Sequence, residues 1–227
     1  MYIIDTDTAS EYCYKVIIMP KGSPELTNAR KEEIISACKT LYKDMSFKDI
    51  TIMKIAEYTT FSRASIYNYF ETKEEIFLAI LQKEYELWVS DLKSITEGED
   101  SMTCEDISAS LASSLEKREL LLKLMSMNHY DMEENSREER LCEFKIAYGA
   151  SLKAVDALLR KFCKDMDDKS RQEFIYSFFP FIYGIYPYTI VTEKQKNAME
   201  KAGVEFKYYS IYELAYTCSY KLLKCLR

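Results

Sequence analysis

Apolar residues recur at spacings of three and four along most of the chain, the mark of amphipathic helices with one buried face. Within 29–45, Ile34, Cys38, Leu41 and Met45 share a face, while Lys31, Lys39 and Lys43 lie elsewhere. Within 210–226, Ile211, Leu214, Ala215, Cys218, Leu222 and Cys225 form one stripe, and Tyr212, Tyr216 and Tyr220 form a second beside it. Two apolar stripes exceed what one neighbour in the same chain needs, which points to a partner helix. A helix buried within its own domain is the alternative.

Helix starts are marked by repeated S/T-x-x-E/Q sequences, in which a hydroxyl and an acid or amide reciprocally satisfy two orphan backbone donors. They occur at Thr72–Glu75, Ser136–Glu139, Ser170–Glu173, Thr192–Gln195 and Ser210–Glu213, with a weaker version at Thr103–Asp106. The pattern predicts helices over 29–45, 51–58, 62–69, 72–96, 103–116, 118–128, 136–164, 170–187, 192–201 and 210–226. The predicted fold class is all-α.

Two stretches stand apart. The uncharged run from Phe174 to Val191 is at the lower edge of a membrane span in length, but it contains Pro180, Gly184 and Pro187 and lacks flanking charge asymmetry. A polyaromatic helix buried in a bundle explains it more simply, with Pro180 kinking the helix and Pro187 ending it. Residues 1–26 are β-branched and tyrosine-rich, with turn residues from Pro20 to Pro24. They read as a flexible arm, a short hairpin, or translation begun upstream of a natural start at Met19, and no function is assigned to them.

Composition narrows the field. Five glycines and four prolines in 227 residues are too few for the turns of a sheet protein, and 48% hydrophobic residues supply a sizeable core. A single histidine excludes any site that needs two. The formal net charge of −6 means that no global basic field draws the chain to nucleic acid, although residues 27–75 balance eight basic residues against eight acidic ones. Cys13, Cys38, Cys104, Cys142, Cys163, Cys218 and Cys225 are scattered and contain no CxxC pair. Buried free thiols in a reducing cytoplasm are expected, without zinc or a disulfide framework. The first ten residues carry acids where a secretory leader would carry Lys or Arg, in keeping with that compartment.

Residues 29–77 carry the functional information. Thr51 caps a helix whose Ile52, Ile55 and Ala56 face inward, Thr59-Thr60-Phe61 break it, and Ser62 caps a very short helix from Arg63 to Tyr69. Two helices joined by so tight a turn form a helix-turn-helix, whose second helix enters the major groove. The Ile55-Ala56 pair, the Phe61-Ser62-x-x-Ser65-Ile66-Tyr67 run, the Tyr67-x-Tyr69-Phe70 block and Lys73-Glu74-Glu75-Ile76 together resemble the tetracycline-repressor (TetR) family of bacterial transcription regulators. The sequence departs from that family's usual glycines at Thr60 and near Met45-Ser46.

The resemblance implies an N-terminal three-helix DNA-binding domain over 27–75, and a helical ligand-binding and dimerisation domain over 76–227. It places Ser62, Arg63, Ala64, Ser65 and Asn68 on the DNA-facing helix. There, Arg63 can pair bidentately with guanine, Ala64 can touch a thymine methyl, and Ser65 can bond either. Thr51, Tyr67 and Lys73 match phosphate-binding positions, and Tyr69 matches one that contacts DNA in some members. For Ser62 and Ser65 helix capping alone is the alternative, and for Tyr67 packing.

The same resemblance implies a homodimer on a palindromic double-stranded operator, controlled by a small-molecule effector. Dimer contacts fall on the aromatic helix and on Ile211, Leu214, Cys218 and Leu222. Met125, His129, Phe144, Tyr148, Phe174, Phe178 and Tyr183 are pocket candidates for a lipophilic or aromatic ligand, with core packing as the alternative for each. No cofactor is expected. No GxGxxG, P-loop, GxSxG or zinc spacing supports an enzyme, and Asp165-Met166-Asp167-Asp168 reads as a solvated turn rather than a magnesium site. The remaining rival is a helical adaptor that keeps the helix-turn-helix shape without binding DNA.

Overall fold

A computed structural model describes residues 23–126 and 129–226, the His129 side chain excepted. The described residues form helices joined by turns and loops and contain no strand. Twelve helices follow one another: α1 (Pro24–Asp44), α2 (Ile52–Glu57), α3 (Arg63–Ile66), α4 (Lys73–Gly98), α5 (Cys104–Glu116), α6 (Glu119–Ser126), α7 (His129–Glu134), α8 (Glu138–Phe162), α9 (Asp168–Gly184), α10 (Tyr186–Thr189), α11 (Glu193–Lys201) and α12 (Ile211–Cys225).

The chain divides into two compact units. One holds the chain up to Lys83 together with Tyr130–Tyr148, and the other holds Glu84–His129 and Gly149–Arg227. This division differs from a single cut after residue 75, because Tyr130–Tyr148 is tied to residues 69–75 by the polar contacts described below. In the first unit, α1 buries Ile34, Ile35, Ala37, Cys38, Leu41 and Tyr42. Phe77 meets Tyr42 edge-on at 5.0 Å and Phe47 at 4.7 Å. In the second unit, α12 packs on α5, and α9 packs on α6 and α12. Trp88 is fully buried there, 5.8 Å from the Phe179 ring, with its indole N–H donating to Ser114 Oγ at 3.0 Å.

Helix ends show where local sequence decides and where it is overruled. Complete capping boxes form at Thr103–Asp106, Thr192–Gln195 and Ser210–Glu213. Thr72 Oγ1 accepts from the Glu75 N–H at 3.1 Å, but the Glu75 carboxylate turns to Glu71 and Arg137 instead of completing the box. Ser136 caps nothing: its hydroxyl donates back to Met132 O at 2.6 Å. At Ser170 the expected cap is displaced by Asp167, whose Oδ1 accepts from the Ser170 N–H at 2.7 Å. The charged acceptor three residues earlier is the stronger partner for an orphan donor.

Prolines correct two further expectations. The first helix begins at Pro24 under a Ser23 cap, not near residue 29, so residues 24–26 belong to it, while residues 1–22 lie outside the described ones. Proline is suited to a first turn, where its missing N–H would be unbonded anyway. For the same reason Pro187 stands in the first turn of α10, while it ends the preceding helix short of residue 187. Its lost donor cannot reach the Tyr183 carbonyl, and α9 stops at Gly184. α11 ends at Gly203 (φ +65°), where Gly203 N–H bonds Glu200 O and Val204 N–H bonds Met199 O in a Schellman arrangement. No helix among the described residues is long and apolar enough to cross a membrane.

Cys38, Cys104, Cys218 and Cys225 are free thiols, and burial pushes the Cys38 thiol up to about 12.

Candidate nucleic-acid interface

The helix-turn-helix is assembled from α2, the break at Thr59–Phe61 and α3. Thr51 Oγ1 caps α2 by accepting from the Lys54 N–H at 3.3 Å, and Ser62 Oγ caps α3 by accepting from the Ser65 N–H at 3.3 Å. Ser62 and Ser65 also share a hydroxyl–hydroxyl bond of 3.0 Å. Both serines therefore stabilise the helix start, and Ser65 is only half-exposed. Ile66 is the buried anchor of α3.

The break has no glycine because Thr60 is held from α1. Glu33 Oε1 accepts from the Thr60 N–H at 2.6 Å and from its hydroxyl at 2.8 Å. Thr59 Oγ1 donates to Ala56 O at 3.1 Å and accepts from the Phe61 N–H at 3.3 Å. These side-chain bonds bear the turn that a glycine would relax.

Arg63, Ala64, Tyr67 and Asn68 are exposed together. The Arg63 guanidinium lies 5.6 Å over the Tyr67 ring and donates to its hydroxyl at 3.1 Å. This pair presents a fork of donors and a phenol side by side on a single helical turn. Thr51 is exposed at the α2 N-terminus. Lys73 is half-buried: its ammonium donates to Phe47 O at 2.8 Å and sits 4.4 Å from the Phe47 ring centre, leaving other protons for an outside acceptor.

Tyr69 is a correction. It is only 4% exposed, and its hydroxyl accepts from Arg30 Nη1 at 3.0 Å, so its ring belongs to the core and not to the surface expected to touch DNA. Arg30, which also lies 5.7 Å over the Phe61 ring, is one residue that sequence reasoning missed. Glu33, Arg137 and Arg140 are others. Only the missing glycine at Thr60 hinted that the turn needed an outside partner.

Glu75 was expected as a capping acid and is instead the centre of a cluster within the first unit. It is fully buried and accepts from the Glu71 N–H (2.8 Å), the Arg137 N–H (3.1 Å), Arg137 Nε (2.6 Å) and Arg137 Nη2 (2.8 Å). Burial pushes its carboxyl up, but the Arg137 side chain and the two backbone donors together hold it below its ordinary value. The same bonds raise Arg137.

In the second unit an open apolar cleft of about 1040 Å³ is lined by Pro180, Phe181, Ile185, Tyr188, Phe206, Tyr209 and Leu214, with Glu205 and Lys207 among them. The expected pocket residues do not form this wall. Met125, Phe144, Phe174 and Phe178 are buried core side chains. Tyr148 is half-buried, 6.4 Å from the Phe144 ring, and the half-buried Tyr183 accepts a 3.0 Å bond from the Tyr85 hydroxyl. The His129 side chain lies outside the described residues.

The expected dimer stripe divides. Ile211 is buried within its own chain, on the ridge continued by Ala215, Ser219 and Leu223. Leu214, Cys218 and Leu222 form a neighbouring half-buried ridge. Tyr212, Tyr216 and Tyr220 stack in a ladder with centroids 5.9 and 5.8 Å apart.

Comparison with known proteins agrees with this geometry. The model of bacterial regulatory proteins of the tetR family matches residues 34–80, and that of the tetracyclin repressor-like C-terminal domain matches residues 82–207. The helix-turn-helix-type transcriptional regulator YfiR of Bacillus subtilis is 36% identical over 63 residues, which cover 28% of this chain and 31% of that protein. The chain thus spans about a third of the length of the curated relatives it matches. In fold, it resembles a TetR/AcrR-family regulator from Thermobifida fusca (TM-score 0.61, 18% identity, 88% of this chain and 99% of that one). It also resembles FadR of Bacillus subtilis in complex with stearoyl-CoA (TM-score 0.57, 14% identity, 86% and 99%). With both halves of the described chain matched and a helix-turn-helix in the first, the chain belongs to the tetR family of bacterial regulatory proteins.

Proposed function

We propose that the chain represses transcription by binding a palindromic operator as a homodimer, and that a small lipophilic or aromatic molecule controls it. The observation that carries this reading is α3: one helical turn anchored by Ile66, with Arg63, Ala64, Tyr67 and Asn68 exposed together. Arg63 leaves the Tyr67 ring to pair with guanine, Ala64 meets a thymine methyl, and Tyr67 with Asn68 bonds backbone or base edges. Thr51 and Lys73 hold phosphates, and Ser62 and Ser65 act first as caps.

Residues 27–75 carry no net charge, so non-specific attraction is weak, and specificity comes from two copies set roughly 34–36 Å apart. The second unit supplies that spacing through α9 and the Cys218–Leu222 ridge. Its cleft is the effector site in this reading. The apolar wall suits a long acyl chain or aromatic ring, and Lys207 can meet an anionic group. An acyl-CoA such as the one bound by Bacillus subtilis FadR fits this description.

The test is a gel shift of the purified protein on DNA flanking its own gene at two salt concentrations, followed by unbiased binding-site selection. A discrete, competitor-resistant shift with two protomers per site is expected. Failure of both assays overturns the reading. Trp88, the single tryptophan, contacts Phe179 of α9, so its emission reports on the helix that forms one cleft wall. A saturable change on titration with stearoyl-CoA is expected, and no change excludes acyl-CoA as the effector class.

A further inference from the structure

α3 is a single turn that cannot persist by itself; its Ser65 and Ile66 carbonyls accept from the N–H groups of Asn68, Tyr69 and Phe70, so its placement depends on the segment that follows it. In the first unit, the chain around residue 137 holds that segment. The carbonyl of Tyr69, three residues past α3, accepts from Arg137 Nη2 at 3.4 Å and from Arg140 Nη2 at 3.2 Å. The Arg140 guanidinium lies 5.5 Å over the Phe70 ring. Thr72 Oγ1 donates to Asn135 O at 2.9 Å, and Glu75 takes the Arg137 backbone and side chain together. Residues 69–75 and 135–140 are thus joined by six hydrogen bonds, three of them to a fully buried carboxylate.

We propose that this clamp, Arg137 and Arg140 on Glu75 and on the Tyr69 carbonyl, is the positioning device that sets the reading helix. It is also the lever through which α8 alters DNA reading. The inference rests on the reading of α3 as the DNA-facing helix and adds its regulation. α8 begins immediately after Arg137 and runs unbroken to Phe162, so its residues belong to both units. A shift or rotation of its first turn moves both guanidinium groups, and with them the Tyr69 carbonyl. Arg137 and Arg140 therefore act through α3 without touching a base.

The test compares the full-length wild type, Arg137→Met, and the double variant Glu75→Gln/Arg137→Met. The single variant strands a buried carboxylate and loses stability. The double variant removes both charges and keeps near-wild-type thermal stability. In the double variant, amides 63–70 are expected to exchange at least tenfold faster than in the wild type. Its operator affinity should be at least tenfold weaker, with an unchanged salt slope. Wild-type protection of 63–70, or wild-type affinity, in a stably folded double variant overturns the clamp as a positioning device. A salt slope reduced by about one per protomer also overturns it, because Arg137 would then be a phosphate ligand. If the wild type binds no selected DNA, the functional reading fails separately, and amide exchange still decides the clamp.

Discussion

The exposed turn of α3 and the cleft of the second unit build recognition surfaces in opposite ways. On α3, the residues offered to a ligand lie within six positions of sequence, from Arg63 to Asn68, and are exposed and mostly polar, with Arg63 bonded to Tyr67. The cleft draws on residues 180–188, on 205–209 and on Leu214, and its wall is mostly apolar. The first surface needs a short motif held still. The second needs three stretches of chain brought together, and no short motif encodes it. Substitutions on α3 should therefore change which partner is chosen, while substitutions in the cleft should change how tightly a ligand is held.

The sharpest way to break this contrast is Arg63→Ala. Loss of a bidentate guanine contact costs about 1–3 kcal/mol at each half-site, so operator affinity should fall at least tenfold and base preference should relax at one position. Competition binding against operators altered base by base measures both. Lys73→Ala should instead weaken all sequences alike and lower the salt slope by about one per protomer. If Lys73→Ala leaves that slope unchanged, the ammonium serves only to hold Phe47.

In the cleft, Phe206→Ala removes a half-exposed ring from the wall. Burial of a Phe against a ligand contributes about 1.5–3 kcal/mol when complete, so about a tenfold loss in stearoyl-CoA affinity is expected, read by Trp88 emission. Operator affinity without ligand should not change. If it does, the two surfaces are not separable by local substitution.

What the sequence made legible follows the same divide. Helices were readable because caps and apolar spacing are local, and boxes such as Thr192–Gln195 formed as their residues predict. Ser136 failed because its helix start is satisfied by Glu75, some sixty residues away, a competitor no local pattern contains. Arg63, Tyr67 and Asn68 could be named because they lie within the short motif that carries the family resemblance, and all three are exposed. The cleft could not. Phe144, Phe174 and Phe178 are the large apolar groups that folding buries most completely, and the cleft wall is left to less buried rings such as Phe181, Tyr188 and Phe206.

The buried acid of the first unit gives a pH test with a definite sign. Its carboxyl is held below its ordinary value of 4.5, so it favours the folded state whenever it is ionised. That contribution is complete above the unfolded value and disappears as pH falls through the lowered folded value. Urea denaturation should show the first unit losing stability as pH drops below about 4.5, and Glu75→Gln should flatten that decline. An equally steep acid limb in the variant would assign it to other carboxylates.

The smallest expected effect concerns the turn without glycine. Glu33 holds Thr60 by two bonds, one from the backbone N–H and one from the hydroxyl. Glu33→Ala should cost about 1 kcal/mol of stability, since the partners are close to solvent and water replaces the carboxylate in part. Thr60→Gly deletes only the hydroxyl bond and leaves the backbone donor, so Glu33→Ala should cost less in that background. A double-mutant cycle by urea denaturation isolates the difference as the coupling between the two side chains. If Glu33→Ala costs the same in both backgrounds, the hydroxyl contributes nothing and threonine is merely tolerated at the turn. A smaller cost beside glycine means that the sequence replaced backbone freedom with a hydrogen bond from α1, which makes the position of α1 part of what aims α3.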